Sequence, residues 1–237
     1  MESEILYQPS YSLAKVKLST GEAISAEAGA MVSMSEGINI ETSVKGGFMA
    51  GLKRSFLGGE SFFINTFKAT TPGEITLAPP LPGDIIHFRL NNETIFVQSS
   101  SYLASSQDIS VDTKWAGAKG FFAKEGLFLL KVQGTGDLFL SSYGAIHEIK
   151  LEAGKSYTID NGHMVAFDES VNYKVRRVGG LKSTLFSGEA LVCTYTGQGR
   201  IFMQTRSEEA FLSWLIPHLP IQRESGGSKG VSFTFGR

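Results

Sequence analysis

Short apolar runs rich in Ile, Val, Phe, Tyr and Thr recur along the chain between Gly, Asn and Pro. The runs Ser61–Phe67, Glu74–Ala78, Ile85–Leu90, Thr94–Gln98, Leu127–Val132, Leu138–Ser141, Leu191–Tyr195 and Ile201–Gln204 each predict a β-strand. No helix-length amphipathic stretch lies between them, which favours a sandwich, barrel or β-helix over an α/β fold. One helix is predicted near the C-terminus. Ser207 is suited to its N-cap, Glu208 and Glu209 to its positive end, and Ala210–Ile216 to its body, with Pro217 as the stop. The segment 221–237 carries Gly226-Gly227-Ser228 and reads as a mobile tail with room for a short Val231–Phe235 strand. Residues 1–220 are expected to form a single β domain.

Internal repetition carries more information than any single run. Gly21–Ser33 aligns without gaps on Gly154–Ala166, and a weaker copy spans Phe96–Ala104. Alternating with this opening motif is a lysine motif. Gly51-Leu52-Lys53 precedes Gly59-Glu60 by the same interval that separates Gly180-Leu181-Lys182 from Gly188-Glu189. Gly117-Ala118-Lys119 is the middle copy, followed by Leu127–Val132 and Gly134-Thr135-Gly136, which aligns on Gly197-Gln198-Gly199. Both Gly-x-Gly triplets are predicted to be hairpin turns between two strands. The opening-motif glycine is expected to supply a positive φ, and the Met-Val or Tyr-Leu pair after it to start a core strand. Three such units suggest a pseudo-three-fold arrangement within one chain.

Composition narrows the functional classes. Apolar residues make up 42% of the 237 and the net charge is −1, which suits a folded domain and gives no global field to attract nucleic acid. The single cysteine, Cys193, excludes an internal disulfide and, lying in a predicted strand, reads as a buried inert thiol. The acidic start Met1–Ile5 lacks the form of a signal peptide, and no run reaches the length of a spanning helix. A prokaryotic cytoplasmic location is the resulting expectation.

Candidate chemistry is sparse. His87, His147, His163 and His218 show no metal-ligand spacing, and no Gly-x-Ser-x-Gly elbow is present. No catalytic residue, metal or cofactor is expected. The glycine-rich stretch Gly46–Gly59 combines Phe48 and Phe56 with Lys53 and Arg54, a mixture that can touch an anion, a lipid surface or a partner, or pack its own apolar residues against the sheet. Under a pseudo-three-fold, Lys53, Lys119 and Lys182 occupy equivalent places. Near an axis they would gather positive charge against an anion; away from it they would be ordinary solvated lysines.

Two long motifs resemble a known family. Gly46–Phe67 and Leu77-Ala78-Pro79-Pro80-Leu81-Pro82-Gly83-Asp84-Ile85 look like the signatures of the mitochondrial-biogenesis family formerly catalogued as a domain of unknown function. The resemblance covers roughly Leu6 to Thr205. It implies a fold like that of the tryptophan-binding RNA attenuation protein, a short double-stranded β-helix unit, here triplicated within an all-β chain that adds a short C-terminal helix. Fungal members are linked to mitochondrial inner-membrane organisation. The reading that follows is a non-enzymatic scaffold or interaction protein that self-associates and meets a protein partner or membrane surface. An RNA- or small-ligand-binding module is the alternative, with nucleic acid disfavoured by the charge.

Overall fold

The computed structural model describes residues 1–41, 62–112, 128–177 and 191–219. The expected tail from 221 onward, with Val231–Phe235, lies outside the described residues. Within them the chain is mostly antiparallel β-sheet with one short helix.

The strands are β1 (Glu2–Leu6), β2 (Leu13–Leu18), β3 (Ala23–Glu27), β4 (Met31–Met34), β5 (Ile38–Glu41), β6 (Ile64–Ala69), β7 (Gly73–Leu77), β8 (Ile85–Gln98), β9 (Tyr102–Ser106), β10 (Ile109–Asp112), β11 (Leu129–Ser141), β12 (Ile146–Asp160), β13 (Met164–Asp168), β14 (Val171–Arg177) and β15 (Leu191–Gln204). Helix α1 covers Glu208–Leu215 and runs on into a 3-10 turn at Ile216–His218. Its N-cap is Ser207, whose side chain accepts from the Ala210 amide, as the sequence predicts.

One pairing scheme recurs. β8 lies along β11 for its whole length, and β12 lies along β15 in the same way. The shorter pairs β2·β7 and β3·β6 follow the same course in two pieces. On its other side, β11 meets β10 in its first half and β9 in its second; β15 meets β14 and then β13. Likewise β5 lies on β6 and β4 on β7. A register shift falls after the first residue of β4, β9 and β13, at Met31, Tyr102 and Met164. Consecutive parts are joined by β3·β9 and β8·β13. Among the described residues no pairing joins β12 to β4, which a closed three-membered ring requires.

The Gly-x-Gly triplets are not hairpin turns. Gly134 and Gly136 lie inside β11, and Gly197 and Gly199 inside β15, where the strand exchanges one neighbour for the next. Gly134 has φ +140° and Gly197 φ +118°. A β-carbon on Gly134 would overlap the Asp108 carbonyl oxygen, and one on Gly197 would lie 2.9 Å from that of Ser170. The glycines let the β9–β10 and β13–β14 turns press on a continuous strand. The runs read as separate strands on either side of Asn91-Asn92-Glu93 are likewise one strand, β8, with a bulge opposite Gly134 and Thr135 and with Asn92 at φ +56°.

Of the opening-motif glycines, Gly21 (φ +86°), Gly154 (+77°) and Gly29 (+94°) have the expected positive φ, whereas Gly162, the counterpart of Gly29, does not. The pair after the motif opens β4, β9 and β13. Tyr102-Leu103 and Met164-Val165 are buried; Met31-Val32 is not, Val32 being 59% exposed. Buried side chains fall into three clusters. The first centres on Val16, Ile24, Phe67 and Ile75, the second on Ile95, Val97, Val132 and Leu138, and the third on Ile159, Phe167, Tyr195 and Ile201.

Candidate functional site

Phe48, Lys53, Arg54 and Phe56 lie in 42–61, Lys119 in 113–127 and Lys182 in 178–190, all outside the described residues, as do Glu60 and Glu189. The described strands fix where these three segments leave and return. The first joins β5 to β6, which pair through Glu41 and Thr66. The second joins β10 to β11, which pair through Asp112 and Lys131. The third joins β14 to β15, which pair through Arg177 and Leu191. Each segment therefore links the same two members of the recurring pairing scheme.

Elsewhere the polar groups close in space bind the fold together. Asp84 is 7% exposed and its Oδ1 accepts from Gln8 Nε2 at 3.1 Å, Ser12 Oγ at 3.2 Å and its own neighbour's amide, Ile85 N, at 2.9 Å. The Asp84 amide donates to the Gly144 carbonyl at 2.9 Å, and Gly83 and Gly144 form a parallel bridge. The Leu77–Ile85 motif thus ties the N-terminal turn to two connections, β7–β8 and β11–β12. A buried carboxylate oxygen satisfied by three donors at once is committed to structure.

Arg200 forms a two-pronged pair with Asp168. Its Nη2 donates to Oδ1 at 2.9 Å and its Nε to Oδ2 at 3.0 Å, while its backbone amide reaches Oδ2 at 2.7 Å. The guanidinium also lies 5.6 Å from the ring centre of Phe88 and 5.8 Å from that of Phe202. The hydrogen bond to Asp168 raises the Arg200 pKa further, against a smaller opposing effect of burial. The pair fastens β13 to β15 over an aromatic patch.

A third group has the order of a hydrolytic triad. Ser3 Oγ is 3.3 Å from His87 Nδ1, and His87 Nε2 is 2.9 Å from Asp137 Oδ1. Acyl transfer further requires donors that converge on one oxygen. Ser3 lies in the extended strand β1, where successive N–H groups point to opposite sides. The His87 ring is stacked on Phe139 at 4.5 Å, and Asp137 is shared with Arg89 at 3.6 Å. This arrangement fastens β1 to β8 and β11.

Cys193 is buried in β15, and burial raises its thiol to about 11. Tyr195, beside it, is fully buried and its hydroxyl is pushed well above the ordinary value, again by burial. A thiol held protonated in this way is a poor nucleophile. Among the described residues no cluster of three His, Cys, Asp or Glu side chains is placed to hold a metal, and no helix is long and apolar enough to cross a membrane.

Sequence reasoning missed the Asp84, Arg200–Asp168 and His87 groups because their members lie tens of residues apart in the chain. Only Asp84 carried a signal, standing inside a motif too specific for an ordinary loop.

Known proteins add the following. An uncharacterized protein of Streptococcus pyogenes serotype M6 is 29% identical over 218 residues, covering 89% of this chain and 88% of its own. An X-ray crystal structure of a Streptococcus pyogenes protein is similar with a TM-score of 0.76 at 28% identity, over 92% of this chain and 99% of that one. The sequence profile of the family described as mitochondrial biogenesis AIM24 matches residues 3–206, nearly the whole chain, and the chain belongs to that family.

Proposed function

We propose that the chain is a non-enzymatic scaffold of three short double-stranded β-helix units in series, whose glycine-rich apolar-basic segments are its contact surfaces for a protein partner. The observation that carries this reading is the matched rooting of the three segments on β5–β6, β10–β11 and β14–β15. Segments rooted on the same strand pair of each unit offer one kind of contact several times, which raises avidity without new chemistry. Phe48 and Phe56 supply apolar anchors, and Lys53, Arg54, Lys119 and Lys182 supply cations for an acidic rim. The groups that resemble catalytic parts are committed elsewhere: Asp84 and Arg200 to tying strands, and Cys193 to the core. Self-association belongs to the same proposal.

The test is site-specific photocrosslinking in cells of the source organism, with the reactive group at Phe48, Lys119 or Lys182 and a control at Lys150, exposed on β12. The expected result is one shared protein adduct from the three segment positions and none from the control. Adducts to lipid alone would replace the protein partner by a membrane. A tightly held nucleotide or metal in native mass spectrometry of the purified protein would overturn the non-enzymatic reading.

A further inference from the structure

The chain forms one kind of strand junction twice and holds both halves of a third. At the first junction the far edge of β9 lies on β3, with Ile24, Ser25 and Ala26 opposite Ser106, Ser105 and Ala104. At the second the far edge of β13 lies on β8, with Ile95, Phe96 and Val97 opposite Asp168, Phe167 and Ala166. β4 is the counterpart of β9 and β13: each lies on the matching member of the pairing scheme and slips register after its first residue. The second half of β12 is the counterpart of β3 and of the second half of β8. Among the described residues, β4 pairs with β7 alone and Lys155–Asp160 with β15 alone.

Burial follows the same division. Leu103 and Val165, next to the register slip in β9 and β13, are both 0% exposed, whereas Val32 at the same place in β4 is 59% exposed. Ile24 and Ile95 are 0% exposed on the receiving strands, whereas Tyr157 at the same place in β12 is 43% exposed. Leu103 and Ala104 belong to the first core cluster, and Val165 and Ala166 to the second. Each of those cores is thus completed by the strand that arrives from the next unit. The third cluster contains no residue of β4.

We propose that this third junction forms between two copies of the chain, β4 of one pairing antiparallel with the second half of β12 of the other. The two internal junctions set the register: Ile159 opposite Ser33, Thr158 opposite Met34 and Tyr157 opposite Ser35. Val32 then enters the third core of the neighbouring copy, as Val165 enters the second. Glu36 and Lys155, both exposed and with no ion pair among the described residues, come into reach of each other. The interface is head-to-tail, so each copy uses both of its edges and assembly proceeds to a ring or a filament. Pairing also covers two sheet edges that are unpaired among the described residues. The inference rests on the proposed three-unit reading for its register, and it does not involve the three glycine-rich segments.

The experiment uses the full chain in analytical ultracentrifugation over a range of concentrations, with two surface variants, Val32→Glu and Tyr157→Glu. Wild type is expected to sediment as an oligomer and each variant as a monomer with an unchanged circular dichroism spectrum and melting temperature. Mixing the two variants is decisive. Each keeps the edge that the other has lost, so a one-to-one complex should form and grow no further. A wild type that stays monomeric, oligomers that survive both substitutions, or a mixture that fails to associate would each overturn the proposal. Should Val32→Glu fail to fold, Tyr157→Glu alone still decides, since retained oligomers in it sink the idea. Photocrosslinking from the segments is read separately, so loss of assembly and loss of the scaffold reading are distinguishable.

Discussion

Gly83 lies so close to the backbone of Ser142 that a β-carbon on it would overlap the Ser142 carbonyl oxygen. The contact joins two connections far apart in sequence, and the Asp84 hydrogen bonds lie beside it. No side chain can be turned aside to make room, because the obstructing atoms are backbone. Gly83→Ala is therefore expected to destabilise the fold by about 2–4 kcal/mol, in the range of strong overpacking. Urea unfolding followed by tryptophan fluorescence measures this. A loss within the range of ordinary surface substitutions would show that the two connections separate easily.

The glycines inside β11 and β15 that face backbone should differ sharply from Gly21, in a turn, and Gly154, at an open bulge of β12. Gly21 and Gly154 have positive φ with nothing within 4 Å of a β-carbon, so Ala there meets only backbone strain, of about 1 kcal/mol. Gly134 has positive φ and backbone in the way, and Gly197 is the milder case at 2.9 Å. The expected order of destabilisation is Gly134→Ala, then Gly197→Ala, then Gly21→Ala. Thermal melts of the three variants read it directly, and equal losses would mean that the close approach of the β9–β10 turn is unimportant.

Those glycines also mark the limit of what the sequence discloses. Strands rich in β-branched residues, such as β7 and the two ends of β8, were legible because their composition is sufficient to specify them. Helix α1 was legible from Ser207, the Glu208-Glu209 pair and the apolar run after them, although Pro217, read as the stop, lies within the 3-10 turn that continues it. That β11 and β15 run through their Gly-x-Gly triplets was not, because the reason for the glycine is a carbonyl on Asp108 or Ser170 from another part of the chain. Locally, a strand that needs glycine for clearance and a hairpin that needs it for turning look the same. Lys53, Lys119 and Lys182 were singled out by repetition, which detects equivalence without partners, and Phe48, Arg54 and Phe56 by the composition of Gly46–Gly59. The Asp84 group needed partners from Gln8 and Ser12, which no repeat could indicate.

The Arg200–Asp168 pair separates charge from geometry. Arg200→Lys keeps the charge and gives up both the second hydrogen bond and the planar group over Phe88 and Phe202. Arg200 is partly exposed, which limits the expected loss to about 1 kcal/mol. Asp168→Ala also removes the acceptor for the Arg200 backbone amide, so its loss should be larger, about 2 kcal/mol. The comparison is made by urea unfolding in low and high salt. A lysine variant as stable as wild type would reduce the pair to a simple surface attraction.

Alkaline pH should weaken the third core before any other part. Burial raises Cys193 from its ordinary value of 9.0 to about 11. In the unfolded chain the thiol ionises near its ordinary value, so above it the unfolded state sheds a proton that the folded state keeps. Stability from this group is therefore complete below pH 9.0 and declines as pH rises toward about 11. Tyr195 and Tyr102, both raised by burial, extend the decline in the same direction above their ordinary value of 10.0. Cys193 alone is expected to account for about 2 kcal/mol across the interval. Cys193→Ala should lower stability at neutral pH, by loss of packing, and flatten the dependence between the two pKa values by close to one proton. Free energies of urea unfolding at several pH values across that interval give the slope, and thiol-reagent kinetics on the folded protein should stay slow until the same range. A slope unchanged in the alanine variant would show that the thiol does not ionise on unfolding in this interval.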